Sequence, residues 1–151
     1  LITVTEALSG VNQPHLQDLH NLPAYAKAFE GFDRRVSRVI GGGADSVLLH
    51  LQDGNVLKIT TRTLEPNFGQ RWFDLPILET GSRMVDGKQV NYFVQPFARE
   101  AKPAQVEQFL KDLESSGHYM RDYNPLNVGW YLPENRPTLV DPWSVERIPG
   151  K

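Results

Sequence analysis

An α+β fold organised around an antiparallel sheet is what the sequence predicts, and three observations lead there. Short aliphatic and β-branched runs fill residues 36–60 and recur at 92–97 and 128–140. Helical periodicity is clearest in two separate stretches, 14–32 and 103–113. Gly and Pro, 12 and 11 of the 151 residues, cut the chain into short pieces. Strands come first, then a helix and a further hairpin, which is the α+β order. A chain of this length closes one hydrophobic core more readily than two. A single domain over 1–151 is therefore expected, with an N-terminal helical arm at 1–35, a sheet-rich part at 36–98 and a mixed part at 99–151.

From Pro14 to Phe32, Leu16, Leu19, Leu22, Tyr25, Ala28 and Phe29 recur at steps of three and four residues, a helix interrupted near Pro23. The period then changes. Val36 to Ile40, Val47 to Leu51 and Val56 to Thr60 read as three strands of a meander, separated by Gly41-Gly42-Gly43 and by Asp53-Gly54-Asn55. Phe68 to Glu79 reads as a short imperfect helix, since Pro76 removes a backbone donor within it. A hairpin follows, with Asp86-Gly87 as its turn and Tyr92 to Phe97 as its second strand.

Pro103 opens a helix with Val106, Phe109, Leu110 and Leu113 on one face, and Gly117 ends it. The runs 128–132 and 138–140 then flank a turn at Pro133 to Arg136.

Composition excludes several function classes. With no cysteine there is no disulfide, thiolate chemistry or cysteine metal site, which suits a reducing compartment. A formal charge of -2 gives no general attraction to nucleic acid or to an acidic membrane. No run approaches the roughly eighteen apolar residues of a membrane span, so a cytosolic protein is expected, with no nucleic-acid or membrane partner, and a monomer. The sequence starts at Leu1 rather than Met, which suggests that the native chain extends further. His15, His20, His50 and His118 lack metal-ligand spacing, and Trp72, Trp130 and Trp143 are expected in the core.

Four local features carry chemistry through their order. The turn Ile40-Gly41-Gly42-Gly43-Ala44-Asp45-Ser46-Val47 lacks β-carbons at three positions, letting backbone N–H groups approach phosphate oxygens. By itself it is equally a flexible turn. Val56-Leu57-Lys58-Ile59 sets a lysine in an apolar strand, on the face it shares with Val56, close to that turn. Met120-Arg121-Asp122-Tyr123-Asn124-Pro125-Leu126-Asn127 places an aspartate and an asparagine in one loop between helix and strand. Thr138-Leu139-Val140-Asp141-Pro142-Trp143 ends an apolar strand on an acid. If 128–132 and 138–140 pair, the open end of that hairpin brings Asn127 and Asp141 side by side. Two neighbouring oxygen ligands suit a hard cation such as Mg²⁺ against triphosphate oxygens.

The segment from Ile40 to Trp143 resembles a protein kinase reduced to its nucleotide-binding core, with an antiparallel N-lobe sheet and a truncated C-lobe. By that resemblance Gly41, Gly43 and Ser46 match the glycine positions, Ser46 replacing the last, with Gly42 between them. Lys58 matches the lysine that grips the α- and β-phosphates. Asp122 matches the catalytic aspartate, and Asn127 and Asp141 the metal ligands. Gln95, Pro96, Phe97 and Ala98 match the hinge that holds adenine. ATP and Mg²⁺ are the implied cofactors.

Met120 departs from the family's histidine and Asn124 from the lysine of serine/threonine kinases. Asp74, then Glu79, is the candidate acidic partner of Lys58. Ten residues follow Asp141, so the family's activation segment and peptide-docking lobe are not expected. Such reduction resembles the minimal type III effector kinases that bacteria inject into the host cytosol. It implies a protein substrate, with a host chaperone among the candidates. A small-molecule phosphotransferase and a pseudokinase that only binds remain the alternatives.

Overall fold

Antiparallel pairing of β2 (Arg35–Gly42), β3 (Ser46–Leu51) and β4 (Val56–Thr60) follows from one apolar face. Val36, Val47, Leu49, Leu51, Leu57 and Ile59 are all buried there. Because side chains alternate, a one-residue slip would expose this whole set. The computed structural model describes residues 1–9, 22–42, 46–85, 87–121 and 123–150. They divide into two units, Leu1–Glu65 with Ile77–Pro96, and Pro66–Pro76 with Phe97–Lys151. The class is α+β, with a curled antiparallel sheet and few helices.

In the first unit β1 (Ile2–Thr3), β5 (Glu79–Val85) and β6 (Lys88–Gln95) complete a six-stranded sheet in the order β1-β2-β3-β4-β6-β5. Two register shifts, between Val36 and Arg38 and between Val39 and Gly41, each set one extra residue of β2 against β3 and tighten the curl. The β3–β4 turn closes through Gly54 N–H to Leu51 C=O at 3.1 Å, with Gly54 at φ 90°, a conformation that favours glycine. In the second hairpin Val85 pairs with Lys88 around Asp86-Gly87, where Asp86 lies outside the described residues. Its second strand runs 88–95 rather than 92–97.

The helices α1 (Val4–Ser9) and α2 (Leu22–Ala28) pack Val4, Ala7, Leu8, Tyr25 and Ala28 onto that core. The expected helix of 14–32 is represented by α2, where Pro23 sits in the first turn and interrupts nothing. Its first part, with Pro14, His15, Leu16, Leu19 and His20, lies outside the described residues. Thr3 and Glu6 form a reciprocal cap on α1: Glu6 N–H donates to Thr3 Oγ1 at 3.0 Å and Thr3 N–H to Glu6 Oε1 at 3.2 Å. Phe29, Phe32 and Tyr92 meet edge to face with centroids 5.1–5.4 Å apart. Tyr92 lies over Gly81 of the neighbouring strand, where an added Cβ would stand 2.3 Å from its hydroxyl.

The second unit holds α3 (Pro103–Ser115) against two small sheets. These are β7 (Arg99–Glu100), β9 (Val128–Tyr131) and β10 (Arg136–Leu139) in the order β10-β9-β7, and β8 (His118–Met120) with β11 (Val145–Arg147). Pro103 occupies the first turn of α3, Lys102 N–H donates to Gln105 Oε1 at 2.8 Å, and Gly117 follows its end at φ 87°. Val106, Phe109 and Leu113 join Phe73, Val128, Leu139 and Val145 in the core.

The expected helix at 68–79 does not form. Residues 66–73 make turns with Gly69 at φ 83°, and Asp74 bridges to Leu139 in parallel. Leu139 N–H donates to Phe73 C=O at 2.6 Å and Leu75 N–H to Leu139 C=O at 3.2 Å. The backbone of this segment is thus used by β10, and Pro66 and Pro76 flank it. Trp72 is half exposed rather than core, and Trp130 and Trp143 are only partly buried. Among the described residues no helix is long and apolar enough to cross a membrane.

The cap of α1 gives a pH signature. Hydrogen bonds from the Thr3 backbone, then from its hydroxyl, hold the Glu6 carboxyl below its ordinary 4.5. A lowered folded-state pKa stabilises above the ordinary value and is lost as pH falls through the lowered one. Glu6→Gln should therefore flatten the fall in melting temperature between neutral and acidic pH, measured by circular dichroism.

Candidate functional site

In the first unit Gly41 and Lys58, two of the expected phosphate-handling residues, share one row of the sheet. Gly41 pairs with Leu48, Leu48 with Lys58, Lys58 with Phe93, and Phe93 with Thr80. Directly paired residues across a sheet share a face, so Lys58 stands on the face opposite Leu57 and Ile59. Lys58 is only 8% exposed, and its Nζ lies 6.0 Å from the Phe93 centroid, within cation–π range. This is a buried lysine, not a solvated edge residue that deters aggregation. Beside Leu48, Phe93 and Val56 that face carries polar neighbours: Ser46 pairs with Thr60, Thr60 with Asn91, and Gln95 with Val56. Thr60, Asn91 and Gln95 are buried. Gly42 pairs with Val47, whereas Gly43, Ala44 and Asp45 lie outside the described residues.

Of the expected hinge, Gln95 ends β6 and the chain leaves the first unit between Pro96 and Phe97. Phe97 is half exposed, and Ala98 sits where a Cβ on Gly129 would come within 2.7 Å.

In the second unit two stretches are tied together at both ends. Met120 pairs with Val145, and Arg121 N–H donates to Ser144 C=O at 2.8 Å. At the other end Val140 N–H donates to Asn127 C=O, also at 2.8 Å, continuing the register in which Val128 faces Leu139. The stretches 123–126 and 141–143 are thereby bracketed. Asn127 and Asp141 both fall at that open end of the β9–β10 hairpin, whose strands are 128–131 and 136–139 rather than 128–132 and 138–140. Asp122 itself lies outside the described residues.

The same local chemistry shapes both stretches. Asn124 precedes Pro125 and accepts Leu126 N–H on Oδ1 at 3.0 Å; Asp141 precedes Pro142 and accepts Trp143 N–H on Oδ1 at 3.1 Å. Each caps a short 3-10 turn, 125–127 and 142–144. Asn124 thus has a structural use, and Met120 packs partly buried against the core. A carboxylate offers about four acceptor sites, so capping a turn and holding a cation are compatible for Asp141. The Asn127 amide oxygen and the Asp141 carboxylate are hard oxygen ligands that fit Mg²⁺. Among the described residues no three His, Cys, Asp or Glu side chains cluster as a metal group.

Both candidate acids for Lys58 have arginine partners. Arg71 grips Asp74 through Nε at 2.8 Å, and Arg34 Nη2 lies 2.5 Å from Glu79 Oε2. Beside the bracketed stretches, Arg121 pairs with Glu146, which also accepts the Tyr119 hydroxyl at 2.7 Å and pushes that phenol above its usual 10. His118 lies edge to face with Phe73, a packing role. Two open hollows of about 400 and about 450 Å³ in the first unit, both touching Asp33 and Arg35, include none of the expected residues.

Sequence reading missed the Thr3–Glu6 cap, although Thr-x-x-Glu before an apolar helix signals it. It also missed Arg71, for which no local pattern exists. No protein-family model matches the chain, and no curated protein matches it.

Two glycines separate fold from function. A Cβ on Gly129 would stand 2.7 Å from Ala98 Cβ, 2.9 Å from Val140 Cγ2 and 3.2 Å from the Arg99 carbonyl, whereas Gly41 has open space around it. Urea denaturation should show Gly129→Ala destabilised by about 1–3 kcal/mol and Gly41→Ala changed by less than about 0.5 kcal/mol.

Proposed function

We propose that this chain is an ATP- and Mg²⁺-dependent phosphotransferase of the protein-kinase type, moving the γ-phosphoryl group to a protein hydroxyl. The observation that carries this reading is the bracketing of 123–126 against 141–143 by two backbone hydrogen bonds. They tie the residue before Asp122 to Ser144 and Asn127 to the residue before Asp141. The buried Lys58 on the glycine-hairpin sheet supports it independently. The acceptor we propose is a protein hydroxyl because the motifs resemble those of injected bacterial effector kinases. A host protein, chaperones included, would then be the substrate in the host cytosol.

Phosphoryl transfer asks a protein mainly for positioning and charge neutralisation. In this reading Lys58 and the backbone of Gly41, Gly42 and Gly43, with Ser46, hold the triphosphate. Gln95, Phe97 and Ala98 border the base. Asn127 and Asp141 would hold Mg²⁺, which supplies neutralisation of the developing phosphate charge. Asp122 orients the acceptor hydroxyl and takes its proton as the new O–P bond forms, while the bond from the γ-phosphorus to the β,γ-bridging oxygen breaks and ADP leaves with that electron pair.

One observation favours a second reading, a nucleotide-binding module without turnover: Met120 packs against the core and Asn124 caps a turn at the positions where the family carries its loop histidine and lysine. The experiment separates the readings. With ATP and Mg²⁺ the melting temperature should rise, and intact mass or labelled phosphate on candidate proteins should report transfer. Lys58→Ala and Asp141→Ala should each lower transfer by roughly 10² or more while preserving a cooperative melt. A melting shift without transfer to any protein supports the binding module, and transfer to small alcohols alone supports a small-molecule phosphotransferase. Undiminished transfer by Asp141→Ala would refute the assignment.

A further inference from the structure

We infer that Arg71 is a positioning residue for the candidate metal ligand Asp141, an inference that rests on the proposed role of that aspartate. Arg71 makes a two-pronged contact with Asp74, Nε to Oδ2 at 2.8 Å and Nη2 to Oδ1 at 3.0 Å. The same Nη2 also donates to the carbonyl of Pro142 at 2.9 Å, across 71 positions of sequence. Pro142 is the residue next to Asp141, so the guanidinium holds the backbone that carries the carboxylate.

The clamp is enclosed by rings and hydrogen bonds. The Arg71 side chain is 16% exposed and that of Asp74 1%. The guanidinium carbon lies 4.8 Å from the Phe68 centroid and 4.7 Å from that of Phe73. Phe68 in turn meets Trp143 edge on at 5.5 Å. Asp74 Oδ2 accepts the backbone N–H of Gly69 at 3.0 Å and of Arg71 at 3.2 Å. Arg136 fixes the segment from outside, donating to the carbonyls of Trp72 and Asp74 at 3.0 and 3.1 Å.

Burying an ion pair is a poor way to gain stability, because desolvation offsets most of the attraction. An arginine fork is, however, well suited to fixing one carbonyl relative to one carboxylate. The pair is neutral as a whole, so its influence on Asp141 is geometric rather than coulombic. The Asp141 carbonyl already accepts from Ser144 Oγ at 2.6 Å and Ser144 N–H at 3.1 Å, and Arg71 adds the hold on the next peptide. Mg²⁺ demands near-ideal octahedral geometry, so small displacements of a ligand are costly. Lysine keeps the charge but lacks the fork, and cannot contact Asp74 and Pro142 in the same way.

The test measures the Mg²⁺ concentration for half-maximal phosphate transfer by the full chain at saturating ATP, together with thermal melting. In Arg71→Lys it should rise about 10–100-fold, the range found when groups that orient metal ligands are removed. Nucleotide affinity without metal should hold within about twofold, since the lost contacts orient a metal ligand only. Asp74→Asn, which removes the charge that fixes the fork, should show the same split. An unchanged Mg²⁺ requirement in either folded variant overturns the inference, even with a lowered melting temperature. In the parent protein the Arg71 Nε–H resonance should shift when Mg²⁺ and nucleotide are added together; a resonance that stays put overturns it without any variant. A parent that binds no Mg²⁺ with nucleotide overturns the metal-site reading itself, and the clamp with it.

Discussion

Two backbone hydrogen bonds, Arg121 N–H to Ser144 C=O and Val140 N–H to Asn127 C=O, carry the organisation of the second unit. They close a loop of chain whose sides are otherwise irregular, and irregular backbone needs such partners wherever water is excluded. Proline reinforces them from within. Pro125 and Pro142 each start a 3-10 turn, and Asn124 and Asp141 satisfy the amides that those turns leave open. The result is a pair of short turns held at fixed separation by strands on one side and by the β8–β11 pair on the other. The proposed cation site would need ligands fixed before the ion arrives, and the residues flanking the two turns, Val128, Leu139 and Val145, belong to the core of this unit.

The first unit solves a different problem. Its sheet buries one face against α1 and α2, and there the aromatic trio of Phe29, Phe32 and Tyr92 fills the space that Gly81 leaves. On the other face it buries groups that do not pack well in oil: Lys58, Thr60, Asn91 and Gln95. Buried polar groups persist when they are bonded, and several of these bonds are explicit. Asn91 accepts from Ser82 Oγ at 2.7 Å and donates to Arg62 C=O at 2.7 Å, and Thr60 Oγ1 accepts Arg62 N–H at 3.0 Å. Those bonded groups share the face with Leu48, Val56 and Phe93, and in the proposed function Lys58 on that face would hold an anion together with backbone amides.

Elements governed by local rules were legible in the sequence. The meander of β2 to β4, the β5–β6 hairpin around Gly87, the β9–β10 hairpin and α3 between Pro103 and Gly117 all announce themselves by period and punctuation. What escaped was set by contacts distant in sequence. Residues 68–79 have helical composition, but Leu139 takes their backbone hydrogen bonds and Arg71 folds back on Asp74. Trp72 is half exposed because its neighbours Phe73 and Phe109 already fill the interior, leaving it an edge contact with each. For the site, the end of the hairpin where Asn127 and Asp141 fall could be deduced from strand register alone. The ties at Arg121 and Pro142 could not, because they run through backbone carbonyls, which every residue carries.

The most direct measurement replaces Mg²⁺ by paramagnetic Mn²⁺ together with a non-hydrolysable ATP analogue and follows backbone amide resonances. The account predicts that Asn127, Asp141 and their immediate neighbours broaden first, and that Asp141→Ala abolishes the effect. Broadening confined to surface acids such as Glu107 and Asp112, with Asn127 and Asp141 sharp, would contradict it.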